Sequence, residues 1–155
     1  MPRLMNKKNL LGLTKDELAQ ELQSLGEKPF RAKQLWYWIY NQGVQDFALM
    51  TNLSKDLREK LAEQYTLKRA DISKDLISFD ETRKWLLKFE DKNEVEAVFI
   101  PEERRGTLCI SSQVGCTLTC KFCHTGTQKL VRNLTAAEII GQVMVARDDL
   151  GEWPE

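Results

Sequence analysis

The hydrophobic pattern of the chain changes its period near residue 68, which limits the possible folds more than any other property of the sequence. Before this point apolar residues recur at helical spacing, as in Leu18, Leu22 and Leu25. After it, apolar and polar residues alternate, which is typical of strands with one buried face. We therefore expect an α/β protein in which a small helical unit precedes an antiparallel sheet.

Three helices are predicted before residue 68. Thr14 and Glu17 have the spacing of a capping box, so a first helix should begin there and end near Gly26. A second should cover residues 30–42 and end at Gly43, and Ser54 should cap a third. The connection between the second and third helices carries three apolar residues that are expected to fill the bundle: Phe47, Leu49 and Met50.

Four strands and one helix are predicted in the rest of the chain. The strands are expected at residues 72–79, 84–89, 95–100 and 106–112, and the helix begins at a second capping box, Thr135 with Glu138. The last strand, a cysteine-rich loop and this helix form the opening βα unit of a parallel sheet or barrel. A complete barrel needs about 250 residues, so we expect an accessory domain at 1–100 and only the start of a barrel at 101–155.

Composition places the chain among folded, water-soluble proteins. Of its 155 residues, 42% are hydrophobic and 30% are charged, with 23 basic and 23 acidic side chains, which excludes a mainly disordered chain. Charge is uneven, because residues 104–132 carry five basic side chains and no acidic one, which suits an anionic cofactor or polyanion. No long apolar run or signal peptide is apparent, so we expect a cytoplasmic protein, with no membrane segment and with reduced thiols.

Cys116, Cys120 and Cys123 form a C-x₃-C-x₂-C run, and Gly115 and Gly126 on either side allow the loop to curl. Three thiolates can then converge on one centre. A four-iron cluster held by three cysteines keeps one iron open, and an open iron can bind a substrate. On the residues alone we favour this kind of cluster.

Three other interpretations of the cysteines stay open at this level. A zinc site could use Cys109 or His124 as a fourth ligand in a small RNA-binding module, although zinc sites usually come as two separated pairs. Cys120 to His124 also matches the C-x-x-C-H pattern of covalent haem, which normally needs export. A thioredoxin-like pair would leave two cysteines without a role. We assign no role to His124 itself.

The sequence around these cysteines resembles the radical S-adenosylmethionine enzymes that methylate carbon 2 of adenosine in ribosomal and transfer RNA. The resemblance lies in the segments 107–116, 120–126 and 132–143, and it extends to residues 30–34 and 95–101. It covers nearly the whole chain, and it is far more specific than the cysteine triplet.

The resemblance implies two cofactors and six site residues. Cys116, Cys120 and Cys123 would hold a [4Fe-4S] cluster, and S-adenosyl-L-methionine would bind its open iron, with Phe122 against the adenosine part. Cys109 matches a catalytic cysteine that helps to resolve a covalent enzyme–RNA intermediate, and Glu96 matches the proposed proton acceptor. The choice of base between Glu96 and Cys109 stays open, and the residues alone also allow Glu96 to pair with Arg104 or Arg105.

The resemblance also implies partners: ribosomal RNA and transfer RNA as substrates, and a one-electron donor such as flavodoxin for a monomeric enzyme. Phosphate contacts are expected from Lys28, Arg31 and Lys33. The aromatic residues that follow them are expected to pack in the core: Trp36, Tyr37, Trp38 and Tyr40.

One departure from the family pattern limits this expectation. The family's methyl-carrying cysteine and its glycine-rich cofactor-binding strand would both lie beyond residue 155. We therefore expect an N-terminal portion that does not turn over alone. A zinc-stabilised RNA-binding module and the sister activity at adenosine carbon 8 are the alternatives.

Overall fold

The computed structural model describes residues 7–153. The prediction that the chain has no signal peptide concerns its first residues, most of which lie outside the described residues. The chain divides into two compact units, Met1–Lys68 with Arg147–Glu155 and Arg69–Ala146. These units are defined by spatial proximity, and the domain boundary at residue 100 stays a prediction. The predicted α/β class, with helices followed by antiparallel strands, is confirmed.

The first unit contains the three predicted helices, α1 (Lys15–Ser24), α2 (Arg31–Trp36) and α3 (Lys55–Gln64). The capping box is present at Thr14, whose hydroxyl accepts from the Glu17 amide while the Glu17 carboxylate accepts from the Thr14 amide. Ser54 caps α3 in the same way, by accepting from the Leu57 amide. The helices bury a shared apolar stripe: Leu18, Leu22, Leu35, Ile39, Leu57 and Leu61.

The second helix differs from its prediction in its last turn. After Trp36 the backbone continues as a π-helical turn, Tyr37–Asn41, before Gly43 adopts a positive φ of 65°. The wider turn buries Ile39 and lets the Tyr40 hydroxyl accept a hydrogen bond from the Gly12 amide at 2.8 Å. Tertiary contacts of the aromatic residues thus override the regular α-helical spacing.

Two predictions about core residues in this unit are wrong. Leu49 is 57% exposed, whereas Phe47 and Met50 beside it are buried as expected. The segment Phe47–Leu49 is a 3₁₀ turn, and three residues in a turn this tight cannot all face the bundle. Tyr37 is 47% exposed and does not pack in the core, unlike the half-buried Trp36, Trp38 and Tyr40.

A short pair of parallel strands in the same unit was not predicted. Strand β1 (Lys8–Asn9) pairs with β2 (Tyr65–Thr66), which directly follows α3. Glu21 of α1 supports this pair, because it forms an ion pair with Lys8 and accepts a hydrogen bond from the Tyr65 hydroxyl at 2.7 Å. These contacts hold the pKa of Glu21 below its usual value, and the hydrogen bond from Lys8 has a larger effect than the one from Tyr65.

The second unit is built on a four-stranded antiparallel sheet. Its strands are β3 (Asp71–Ile77), β4 (Arg83–Lys88), β5 (Glu94–Pro101) and β6 (Gly106–Cys109), and they lie in this order across the sheet. One face is buried through Trp85, Leu87, Val95 and Ala97. The strand predictions are confirmed, except that β3 ends at Ile77 and not at Phe79, and β6 ends at Cys109 and not at Ser112.

Beyond β6 the chain forms a second, two-stranded sheet and a long helix. Strand β7 (Gln113–Val114) pairs with β8 (Arg132–Asn133) in antiparallel register, and α4 (Ala136–Leu150) follows. Thr135 and Glu138 form the predicted capping box at the start of α4. Within residues 7–153, none of the helices has the length and hydropathy needed to cross a membrane.

Candidate functional site

The cysteine loop is closed at its base by the β7–β8 pair. Val114 lies opposite Arg132, and an isolated bridge joins Cys116 to Lys129. Gly115 has a positive φ of 75°, and a Cβ at this position would overlap the Lys129 carbonyl oxygen. A Cβ at Gly126 would lie 2.7 Å from the Cys120 carbonyl oxygen. The curled loop that the two glycines predict is therefore confirmed.

The loop presents three free thiols. Cys116 and Cys120 are partly buried and Cys123 is exposed, and none of the three is in a disulfide. The Leu118 amide lies 3.3 Å from the Cys116 sulfur and donates to it, and such donors tune cluster thiolates. In the part of the chain that the structure describes, no three His, Cys, Asp or Glu side chains converge on one metal position. The three residues therefore fit an iron–sulfur cluster in two respects: their thiols are free, and they lie on one curled loop.

Arg132 fastens the end of this loop to the rest of the second unit. Its guanidinium donates twice to the Glu138 carboxylate of α4, at 2.8 Å each, and once to Asp91 of the β4–β5 turn at 2.7 Å. These bonds lower the pKa of Glu138, and together with Asn93 they lower the pKa of Asp91 to about 2. Arg132 therefore anchors the C-terminal end of the cysteine loop to α4 and to the β4–β5 turn.

Glu96 and Cys109 line one cavity of about 300 Å³. They lie on the open face of the sheet, because Cys109 pairs with Val98, two residues from Glu96 on β5. Both are exposed, and the Glu96 carboxylate lies 3.1 Å from the Lys84 ammonium. The alternative prediction paired Glu96 with Arg104 or Arg105. For Arg105 this prediction is wrong, because the Arg105 guanidinium forms an ion pair with Glu102.

The same cavity is bounded on its other side by the cysteine loop. Gly115, His124, Thr125 and Gln128 of the loop line it together with Glu96 and Cys109. No role is predicted for His124, and its place in the cavity follows from the curl of the loop, which residue spacing does not reveal. Phe122 is 95% exposed, so its ring is free to lie against a ligand.

The fold and this loop together define a class of protein. The structure superposes on the crystal structure of a radical SAM methyltransferase from Sphaerobacter thermophilus with a TM-score of 0.84 and 37% sequence identity. The match covers 94% of this chain and 43% of that one. The chain thus has the fold of a portion of a radical SAM methyltransferase.

The sequence comparisons narrow the class. Residues 8–67 match the family of ribosomal RNA large subunit methyltransferase N-terminal domains. The dual-specificity RNA methyltransferase RlmN of Paramagnetospirillum magneticum is 64% identical over 151 residues, which is 96% of this chain and 33% of that protein. The RlmN of Rhodospirillum rubrum is 62% identical, over 94% of this chain and 34% of its own length. The chain spans about a third of these relatives, and over that part the predicted family resemblance is confirmed.

Proposed function

We propose that the chain contributes the cluster loop and an RNA-binding domain to a radical S-adenosylmethionine enzyme that methylates carbon 2 of adenosine in ribosomal and transfer RNA. The observation that carries this proposal is the cavity that the two candidate catalytic residues, Cys109 and Glu96, share with residues of the loop that bears the three free thiols. The names and identities of the relatives support the same activity.

Each candidate site residue has a proposed part in this chemistry. Cys116, Cys120 and Cys123 would hold a [4Fe-4S] cluster, and Phe122 would contact the adenosine part of S-adenosylmethionine. When bound, this pair of cofactors supplies a radical route to a carbon that is too weakly nucleophilic for ordinary methyl transfer. Cys109 helps to resolve a covalent enzyme–RNA intermediate and Glu96 is the proposed proton acceptor, with the choice of base between the two left open, since both line the cavity. A one-electron donor such as flavodoxin completes the set of partners.

Cluster assembly tests this proposal directly on the 155-residue chain. After anaerobic reconstitution with iron and sulfide, we expect about four irons per chain and visible cluster absorption. C116A, C120A and C123A should each abolish both signals, whereas the matched control C109A should keep them. Zinc at unit stoichiometry without iron uptake would overturn the proposal in favour of a zinc-stabilised RNA-binding module.

The first unit carries a surface that suits the proposed RNA substrate. Phe30, Lys33 and Tyr37 follow one another at helical spacing along α2 and the π turn, and the two aromatic residues are 53% and 47% exposed. The Arg31 guanidinium lies 4.9 Å from the Phe30 ring centre. No acidic residue occurs from residue 28 to residue 45. Aromatic side chains interleaved with cations are typical of surfaces that bind unpaired nucleotides.

RNA binding by this surface should depend on salt. We expect affinity for a ribosomal RNA fragment to fall as salt rises, and F30A with K33A to weaken binding more than the control K55A on α3. Fluorescence anisotropy titrations at several salt concentrations measure both effects. An RNA affinity that does not change with salt concentration would contradict the assignment of the RNA surface to α2. Equal RNA affinities of the double variant and K55A would contradict it as well.

A further inference from the structure

The side chain of Gln142 on α4 is fully buried, at 0% exposure, in a unit whose core is otherwise almost entirely apolar. Its amide bonds mainly to the backbone of one residue, Ser111, which lies in the connection between β6 and β7. The Oε1 atom accepts from the Ser111 backbone amide at 2.8 Å, and Nε2 donates to the Ser111 carbonyl at 2.7 Å. Nε2 also lies 3.2 Å from the Glu138 carbonyl oxygen. Burying an amide is unfavourable unless such bonds are made, so this geometry needs a reason.

The reason lies in how β6 leaves the sheet. The β5–β6 ladder places Cys109 opposite Val98 and ends there. A continued register would place Ser111 opposite Glu96. The Ser111 hydroxyl does donate to the Glu96 carbonyl oxygen at 2.8 Å, but the Ser111 backbone amide and carbonyl turn to Gln142. Ser111 is therefore bonded on one side to the strand of Glu96 and on the other to α4.

We propose that Gln142 is a positioning residue that, through Ser111, sets where the Cys109 thiol and the Glu96 carboxylate lie across their shared cavity. This inference rests on the proposed roles of Cys109 and Glu96. Proton transfer needs heavy atoms within about 3 Å, or one bridging water. A displacement of about 1 Å can cost a factor of about 100 in rate. The end of a strand frays when its backbone has no hydrogen-bond partner. Beyond Cys109, where the β5–β6 ladder ends, the buried Gln142 amide supplies these partners to the Ser111 backbone.

An apolar side chain at position 142 would fill the space but could not replace these bonds. It would leave the half-buried Ser111 amide and carbonyl without these partners, which destabilises this strand end and not only the core. The effect on Cys109 should therefore be separable from a general loss of stability. Met144 on the same helix is 2% exposed and apolar, so M144A is a matched control that disturbs packing but leaves the hydrogen bonds between Gln142 and Ser111 in place.

The test uses the 155-residue chain with C116S, C120S and C123S, in which Cys109 is the single thiol. Q142M should shift the Ser111 amide resonance, speed its hydrogen exchange about fivefold or more, and raise the rate of Cys109 alkylation by iodoacetamide about as much. M144A should lower the midpoint of chemical unfolding yet leave all three values near those of the parent chain. Equal changes in Q142M and M144A, or no change in Q142M, would overturn the proposal.

A measurement on the parent chain keeps the test decisive if Q142M does not fold. The Ser111 amide lies beyond the last ladder pair, yet it should be protected from exchange as strongly as the amides of the central strand β4. Exchange at the rate of an open loop would refute the role of Gln142. None of these readouts needs a cluster or RNA, so a failure of the proposed function would leave them unchanged and the two failures can be distinguished.

Discussion

Replacing Arg132 with Met should loosen the frame that holds the cysteine loop. The guanidinium joins β8 to the first turn of α4 through Glu138 and to the β4–β5 turn through Asp91. Met fills a similar volume but donates no hydrogen bond. The variant therefore keeps most of the packing and removes the charged contacts from both partners at once.

The magnitude follows from how far the ion pair is buried. The side chains of Arg132 and Glu138 are 29% and 20% exposed, so the pair lies between a surface ion pair and a fully buried one. The two charge-assisted hydrogen bonds to Glu138 and the one to Asp91 are lost, and the largely buried Glu138 carboxylate keeps the Thr135 backbone amide as a donor. We expect R132M to lower the free energy of unfolding by about 2 kcal/mol. For a chain of this size the melting temperature should fall by roughly 4–8 °C.

The same contact gives the stability a pH dependence. The pKa values of Glu138 and Asp91 are lowered in the folded protein, that of Asp91 to about 2, while unfolded carboxyl groups titrate near pH 4. The contribution of these carboxylates is therefore fully present above about pH 5 and is lost as pH falls toward 2. In R132M this acid-dependent loss should be smaller, because its main cause is gone.

Urea unfolding followed by far-UV circular dichroism, at several pH values between 2 and 7, measures both effects. R105M is the control, because the Arg105–Glu102 pair lies at the surface and should change stability by less than about 0.5 kcal/mol. An R132M variant with the unfolding midpoint and acid sensitivity of the parent chain would refute the reasoning.

Three further changes have defined outcomes. G115A should prevent cluster loading, because a Cβ would overlap the Lys129 carbonyl and φ is positive there, and iron analysis after reconstitution would reveal retained loading as a contradiction. F122A should weaken binding of S-adenosylmethionine to the reconstituted chain several-fold in equilibrium dialysis at unchanged iron content, since the ring is exposed, and unchanged affinity would argue against its proposed contact. T14A should remove the cap of α1 and lower the free energy of unfolding, measured with denaturant, by about 1 kcal/mol. T117A, in the exposed loop, should leave this free energy unchanged.

Local signals predicted much of the fold. Thr14, Ser54 and Thr135 each begin the helix that their spacing indicated, because a cap acts on amides within three residues of itself. The alternation of β4 and β5 likewise predicted which residues share a face, since side chains on a strand alternate regardless of context.

Local signals also predicted the candidate site in part. The spacing of Cys116, Cys120 and Cys123 and the two flanking glycines indicated a curled thiol loop, and Cys109 and Glu96 lie in one cavity. The ligand and catalytic roles of these residues stay predictions. The cofactors and the RNA substrate came from the family resemblance, which depends on many residues at once.

Contacts between distant residues were decided by the tertiary structure. Asp91 meets Arg132 across 41 positions, and Gln142 meets Ser111 across 31. Neither pair has a spacing signature, because a hydrogen bond between elements depends on how those elements pack and not on the residues between them. The amino-acid sequence alone thus determined the caps, the strand faces and the loop of thiols, whereas packing decided which backbone and carboxyl groups hold that loop and its cavity in place.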